Sequence, residues 1–301
     1  MTAPELRGVL TPVVTPFDAG LRPDLRLLEQ HCRWLLEQGS GLAVFGTNSE
    51  GNSLSVPEKS DILDHLVGAG IPAARMMPGT GACALPDAVE LSRKAARLGC
   101  GGVLLLPPFY YKGVEDEGIF RFVAELIERV GDARLRVYLY HIPPVAQVGF
   151  SLPLIERLVA RYPGQVVGIK DSSGDFGYTK QIMEMLPGWG VFCGNEINLR
   201  EAMSLGAAGC ISATCNINAG QIAKLAEGWQ DEGAEVLQGQ VNAVRATVSK
   251  FPMIAALKAV AGRFHGAPEW DQPRPPLLPL TEGQKADLFG QLDGLDYSMR
   301  R

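Results

Sequence analysis

An α/β fold, a (β/α)8 or TIM barrel with a C-terminal helical extension, is what this sequence predicts, on three observations. Short apolar runs with a β-branched flavour recur along the first two thirds of the chain. They are apolar throughout rather than alternating, which implies strands buried on both faces, as parallel sheets have and half-solvated antiparallel sheets do not. Amphipathic stretches with helical spacing lie between them, and beyond residue 217 the strand signal stops.

In order, the strand candidates are GVLTPVVT from Gly8, LAVFG from Leu42, ARMMPGT from Ala74, GVLLLP from Gly102, RVYLYHI from Arg136, VVGIKD from Val166, GVFCGN from Gly190 and GCISAT from Gly209. Eight such units, each followed by a crossover, are most economically a closed parallel barrel. The helical pattern between the first two places Leu25, Leu28, Cys32 and Leu35 near one face; that after the third places Ala88, Leu91, Ala95 and Leu98 on one stripe. The stretches AGQIAKLAEGWQDEG, AEVLQGQVNAVRATVSK, FPMIAALKAVAGRF and TEGQKADLFGQLDGL read as helices, interrupted by the proline-rich connector PRPPLLPL. The expected organisation is a barrel over residues 1–224 with a helical segment, 225–301, packed on it.

Bulk properties narrow the function. The chain has 301 residues, 46% hydrophobic and 20% charged, enough for a large core. A net charge of -5 with no gathered patch of Lys and Arg argues against a nucleic-acid partner. The N-terminus shows no basic stretch followed by an apolar one, and no apolar run approaches the roughly 18 residues that span a bilayer; no membrane partner and a cytoplasmic location are expected. Cys32, Cys83, Cys100, Cys193, Cys210 and Cys215 form no C-x-x-C pair, and His31, His65, His141 and His265 are as scattered. Reduced core thiols, and no metal site, follow.

In a parallel barrel the active site is built at the C-terminal strand ends. Those ends hold many hydroxyls and one candidate nucleophile, Lys170. Burial disfavours an ammonium relative to the amine, and a neutral amine can attack a carbonyl to give a Schiff base. Tyr140, ending the preceding strand run, is placed to shuttle protons. Taken singly, each residue has a blander reading, Lys170 as an ion-paired surface group with Asp171 and Tyr140 as a packing aromatic. Gly79-Thr80-Gly81-Ala82-Cys83-Ala84 fits the dinucleotide fingerprint G-x-G-x-x-A, but the next strand run ends without the acidic residue that holds a ribose, so tight strand-to-helix turning suffices.

Six segments in register, TPVVTPFD (11–18), FGTNSEGNSLSVPEK (45–59), PPFYYKG (107–113), LYHIPP (139–144), GIKDSSGD (168–175) and GCISATCNI (209–217), resemble the dihydrodipicolinate synthase and N-acetylneuraminate lyase family. The resemblance runs from about residue 7 to 225 and implies a Schiff-base barrel with a C-terminal helical segment, without metal or organic cofactor, assembled as a homotetramer or homodimer. It implies that Lys170 condenses with pyruvate or a 2-keto acid and that Tyr140 shuttles protons with Thr47. Tyr111 would be the relay tyrosine that reaches into a neighbouring subunit. The loop Gly46-Thr47-Asn48-Ser49-Glu50 would bind the keto-acid carboxylate, Asn48 and Ser49 included, and Ile211 would pack against the pyruvyl group.

Departures from the family pattern bear on the substrate. Asn48 stands for a hydroxyl residue and Ser49 for a glycine, so the carboxylate cradle is altered, although an amide still donates. No arginine follows Tyr140 as far as Gln147, where the synthases keep one for the aldehyde's carboxylate; a bidentate anion anchor has no apolar substitute. Ser172, Gly194 and Glu196 stand at or near positions that receive a polyol chain in the sugar-acid lyases. Val145 and Phe109 suit a less polar tail. The expected function is a lyase acting by aldol cleavage, condensation or dehydration on a hydroxylated 2-keto acid. The alternatives are a 4-hydroxy-tetrahydrodipicolinate synthase joining pyruvate to aspartate semialdehyde, and a barrel that binds a keto acid without turning it over.

Overall fold

Seven strands pair in parallel in the order β2-β1-β7-β6-β5-β4-β3. The computed structural model describes residues 6–295 and 297–299; residues 1–5 of the expected barrel segment and 296, 300 and 301 of the extension lie outside the described residues. The strands are β1 (Gly8–Thr11), β2 (Gly41–Leu42), β3 (Val103–Leu105), β4 (Val137–His141), β5 (Val166–Asp171), β6 (Gly190–Cys193) and β7 (Gly209–Ile211). The helices between and after them are α1 (Leu25–Glu37), α2 (Val56–Gly68), α3 (Leu85–Leu98), α4 (Asp116–Val130), α5 (Pro143–Ala146), α6 (Leu152–Arg161), α7 (Phe176–Met185), α8 (Leu199–Ser204), α9 (Cys215–Glu227), α10 (Ala234–Val248), α11 (Met253–His265) and α12 (Glu282–Asp293).

The sequence predicts eight strands; seven form among the described residues. The stretch from Ala74 makes only isolated parallel bridges, Leu42 with Met76 and Gly79 with Leu104. Its backbone nonetheless bonds to both edge strands. The Met77 and Gly79 N–H groups donate to the Leu42 and Val44 carbonyls at 2.8 and 2.7 Å, and the Leu104 N–H donates to the Pro78 carbonyl at 2.9 Å. Pro78, with no N–H, sits mid-stretch and removes a ladder donor, which shortens what would have been a strand.

Local signals set the element ends. Asp24 caps α1 by accepting the Leu27 N–H, Ser55 and Glu58 form a capping box on α2, and α3 and α4 end at Gly99 and Gly131 in the left-handed conformation. Alternation along β4 sends Val137 and Leu139 outward to the helices, where they join Ile169, Val191 and Leu126. It sends Tyr138 and Tyr140 inward, to pack with Leu10, Met77, Leu104, Phe192 and Ile211. Tyr138 is wholly buried in the bore. Two glycines make its room: a Cβ on Gly102 would stand 2.6 Å from its ring, and one on Gly168 2.5 Å from it and 2.3 Å from the Gly190 carbonyl.

Helix α9 crosses the boundary expected at 224/225 and carries a non-helical residue, Asn218. The extension buries Trp270, Val260, Ala256 and Leu288 against Val14, Leu27 and Ile217 of the barrel side. All six cysteines are free, with Cys32, Cys193, Cys210 and Cys215 buried as core thiols. Among the described residues no helix is long and apolar enough to cross a membrane, and no group of His, Cys, Asp or Glu is arranged to hold a metal ion.

Candidate active site

Tyr140 and Lys170 are direct register partners on β4 and β5, so both side chains leave the sheet on the same side, into the bore. Lys170 is 2% exposed, at the end of a strand whose preceding residues are apolar or glycine. Its Nζ donates to the Tyr140 hydroxyl at 3.4 Å and lies 4.4 Å from the centre of that ring. The Tyr140 hydroxyl is in turn 3.1 Å from Thr47 Oγ1. Amine, phenol and alcohol thus form one line, and Thr47, half-buried, is its outer end. The 3.4 Å step is long for a hydrogen bond.

Thr47 opens a 3-10 turn, Thr47–Ser49, that follows β2 and is succeeded by a second, Gly51–Ser53. Between them Glu50 is in the left-handed conformation, as is Phe45 before them. The fold back is tight: a Cβ on Gly51 would stand 2.0 Å from the Phe45 carbonyl oxygen. Asn48 is half-buried beside Thr47. Ser49 is fully buried, its carbonyl accepts from Thr15 Oγ1 at 2.7 Å, and its own hydroxyl has no partner among the described residues.

The remaining expected residues divide. Ile211 lies in the bore with Tyr140. Ser172, half-buried, follows the strand end with its N–H on the His141 carbonyl at 2.7 Å, and it touches Gly194: a Cβ there would stand 2.2 Å from the Ser172 hydroxyl. Asp171 turns away from Lys170. Its carboxylate takes the Ser173 N–H at 2.9 Å and the Thr179 hydroxyl at 2.5 Å, which orders the loop after β5. Tyr111 is 73% exposed, stacked edge-on against an equally exposed Tyr110, and no contact joins it to the lysine, tyrosine and threonine of its own chain.

Glu196 meets donors of its own chain. It is wholly buried, and its carboxylate accepts the hydroxyls of Ser212 and Thr214 and Arg245 Nη1, the last at 3.1 Å. Three donors leave one of a carboxylate's roughly four acceptor sites open. The G-x-G-x-x-A stretch is explained by packing. A Cβ on Gly79 would stand 2.5 Å from the Phe45 carbonyl oxygen, and one on Gly81 2.6 Å from the Leu106 Cβ.

The sequence reading missed three residues around the loop and strand ends. Lys258 of α11 donates to Glu50 at 2.7 Å, Arg274 donates its backbone N–H to the same carboxylate at 2.7 Å, and Arg245 of α10 reaches Glu196 and Ser212. A signal for Lys258 was present: it is a charge inside the apolar run MIAALKAVAG of α11, the same anomaly that marks Lys170 at the end of an apolar strand. Beside the site, His141 accepts the Phe150 N–H at 3.0 Å and stacks on Tyr178; burial pushes its pKa down, opposed by the Asp171 charge.

The chain matches the dihydrodipicolinate synthetase family over residues 5–293. An uncharacterized DapA-like lyase of Chloroflexus aurantiacus is 35% identical over 291 residues, covering 94% of this chain and 95% of that one. A 4-hydroxy-tetrahydrodipicolinate synthase of Thermus thermophilus is 34% identical over 223 residues, 73% of each chain. The crystal structure of dihydrodipicolinate synthase from Agrobacterium tumefaciens superposes with a TM-score of 0.89 at 29% identity, covering 96% of this chain and 99% of that one.

Proposed function

Because the chain belongs to the dihydrodipicolinate synthetase family, whose members are lyases of the class I aldolase type, we propose that it forms a Schiff base between Lys170 and pyruvate or a 2-keto acid. On this reading it cleaves, forms or dehydrates a hydroxylated 2-keto acid. The observation that carries it is the line Lys170, Tyr140, Thr47, at 3.4 and 3.1 Å, on two register-paired strand ends. The stretch 76–80 completes a closed barrel as its eighth stave, and no metal or organic cofactor takes part.

In the cleavage direction the Lys170 amine adds to the keto carbon and water leaves, giving an iminium that withdraws electrons from C3. Tyr140 takes the proton of the C4 hydroxyl while the C3–C4 bond breaks, the aldehyde departs, and Tyr140 then returns a proton to C3 of the enamine left on Lys170. Water then hydrolyses the iminium and releases pyruvate. Thr47 carries the proton between Tyr140 and the solvent side. Asn48 and Ser49 hold the keto-acid carboxylate, the unpartnered Ser49 hydroxyl supplying a donor, with Ile211 against the methyl group and Ser172 beside Gly194 facing the substrate's tail. Tyr111 completes the relay of a second copy of the chain in a homodimer or homotetramer, which its exposure within one chain supports. The protein works in the cytoplasm, on a small-molecule substrate, with neither nucleic acid nor membrane.

The second reading, a 4-hydroxy-tetrahydrodipicolinate synthase, draws on the Thermus relative. Against it, no arginine follows Tyr140 up to Gln147, and Arg245 Nη1 is committed to Glu196 and Ser212. Borohydride reduction in the presence of pyruvate, followed by mass spectrometry, tests the chemistry. A reduced pyruvyl adduct on Lys170 is expected, and its absence would overturn the proposal in favour of a barrel that only binds keto acids. A panel of 2-keto-3-deoxy acids, N-acetylneuraminate, 4-hydroxy-2-oxoglutarate, and pyruvate with aspartate semialdehyde identifies the tail; fast turnover of the last pair establishes the synthase instead.

A further inference from the structure

The loop that carries Thr47 is held from outside the barrel. Glu50 closes the turn, its N–H donating to the Thr47 carbonyl at 3.1 Å, and its side chain meets the helical extension. There one carboxylate oxygen takes Lys258 Nζ at 2.7 Å and the other the backbone N–H of Arg274 at 2.7 Å. Both charged side chains of the pair are 0% exposed. Lys258 also donates to the Gln272 carbonyl at 2.9 Å, and its Nζ lies 4.6 Å from the centre of the Phe17 ring, with the Arg274 guanidinium at the same distance from that ring. Arg274 goes on to pair with Glu58 and to bond the Leu21 and Ser53 carbonyls, so the second turn of the loop is gripped as well.

An anchor that served only to hold the extension in place would not require a buried ion pair. Removing two charges from water costs about as much as their attraction returns, and apolar replacements of such pairs are often neutral or stabilising. Helix α11 does its remaining packing with Ala255, Ala256, Leu257, Ala259 and Val260. What the pair supplies and an apolar contact cannot is direction: two hydrogen bonds at fixed angles on a residue held in the left-handed conformation, three positions from Thr47.

We infer that Glu50 and Lys258 are positioning residues, and that the helical extension, through their buried pair, holds Thr47 at the Tyr140 hydroxyl. The inference rests on the Schiff-base reading above and assigns it a control point remote from the lysine. It also gives the extension a share in the chemistry, since Lys258 lies 208 residues along the chain from the carboxylate it fixes.

The test follows exchange of the pyruvate methyl protons with D2O by NMR, which needs no knowledge of the aldehyde. Glu50→Gln and Lys258→Met are combined to remove both charges without leaving either alone, in the full-length chain and again in a Thr47→Val background. Exchange is expected to slow by roughly 10- to 100-fold in the first case, the scale of a small displacement of a reacting group. In the second it should change by less than about twofold, since residues acting through one group are not additive. An equal loss in both backgrounds, or none in either, overturns the positioning role. If the combined variant does not fold, Glu50→Asp keeps the pair but draws it back by one methylene; a folded Glu50→Asp protein with unchanged kcat overturns the role too, whereas a fall in kcat larger than any rise in KM supports it. An unsubstituted protein that neither exchanges protons nor yields a reduced adduct takes down the Schiff-base reading itself, while a normal adduct with full-speed exchange in the variants removes only the positioning role.

Discussion

Tyr140 does two separable things: its ring packs in the bore under the lysine, and its hydroxyl joins the amine to Thr47. Tyr140→Phe keeps the first and deletes the second. Turnover of the substrate identified by the panel should therefore fall by roughly 10²- to 10⁴-fold, the usual contribution of a placed acid–base group. Stability should change by only about 1 kcal/mol, the net worth of a hydrogen bond, and the denaturation midpoint checks that arm. The pairing of Lys170 with Tyr140 was legible in the sequence because both end apolar runs, and strand ends in a parallel barrel meet by construction. The fate of Glu196 was not legible. Its partners Ser212, Thr214 and Arg245 come from later segments, and no local pattern marks their meeting with it.

Between elements, the contact of α1 with α11 is sensitive to acid. His31 Nδ1 and His265 Nε2 lie 3.0 Å apart, and Trp34 and Trp270 enclose the His31 ring. Burial pushes the His31 pKa down to about 3, helped by the neighbouring His265, against the hydrogen bond to Asn216, and burial also lowers His265. An unfolded chain takes up a proton at these sites near pH 6.5 while the folded chain does not, so stability should fall as pH drops from about 6.5 toward 4.5. His141, lowered in the same direction, adds to this slope. Carboxylates such as Glu58, held down to about 2 by Arg274, act only in more acid solution. Urea midpoints at pH 7 and pH 5 measure the effect, and His31→Leu should flatten the difference. At this scale the sequence was readable where periodicity spoke, as in the Leu28, Cys32, Leu35 face of α1, and mute where one residue broke the rhythm, as Pro78 does in the expected third strand.

At the scale of the whole molecule, the last segment of the chain is tied to the first by buried contacts. Residues beyond 250 supply Lys258 and the Arg274 N–H to Glu50, and Trp270 to the cluster that covers Val14, Leu27 and Ile217. Ending the chain at residue 250 would remove both of these donors to Glu50 and uncover the apolar area that Trp270 and its neighbours cover, at about 25 cal/mol per Å². A domain's whole stability is about 5–15 kcal/mol. The shortened chain should therefore lack a cooperative unfolding transition by circular dichroism, while the full chain unfolds in one step seen alike by circular dichroism and tryptophan fluorescence. The alternation of elements made the parallel sheet and its flanking helices legible, but dependence on the tail was hidden because it runs through contacts far apart in sequence, such as that of Lys258 with Glu50, 208 residues apart.

Tyr138, with Leu10, Met77, Leu104 and Phe192, fills the bore below Lys170, and none of the five is more than 1% exposed. Lys170 therefore stands against a tightly packed apolar floor. On the Schiff-base reading, whatever is tied to its nitrogen occupies the deep position and the fragment carrying the tail sits nearer the opening. Traffic through a single doorway runs in sequence: in cleavage the aldehyde must clear the way before the keto acid can follow, and in synthesis the keto acid must be seated before its partner arrives.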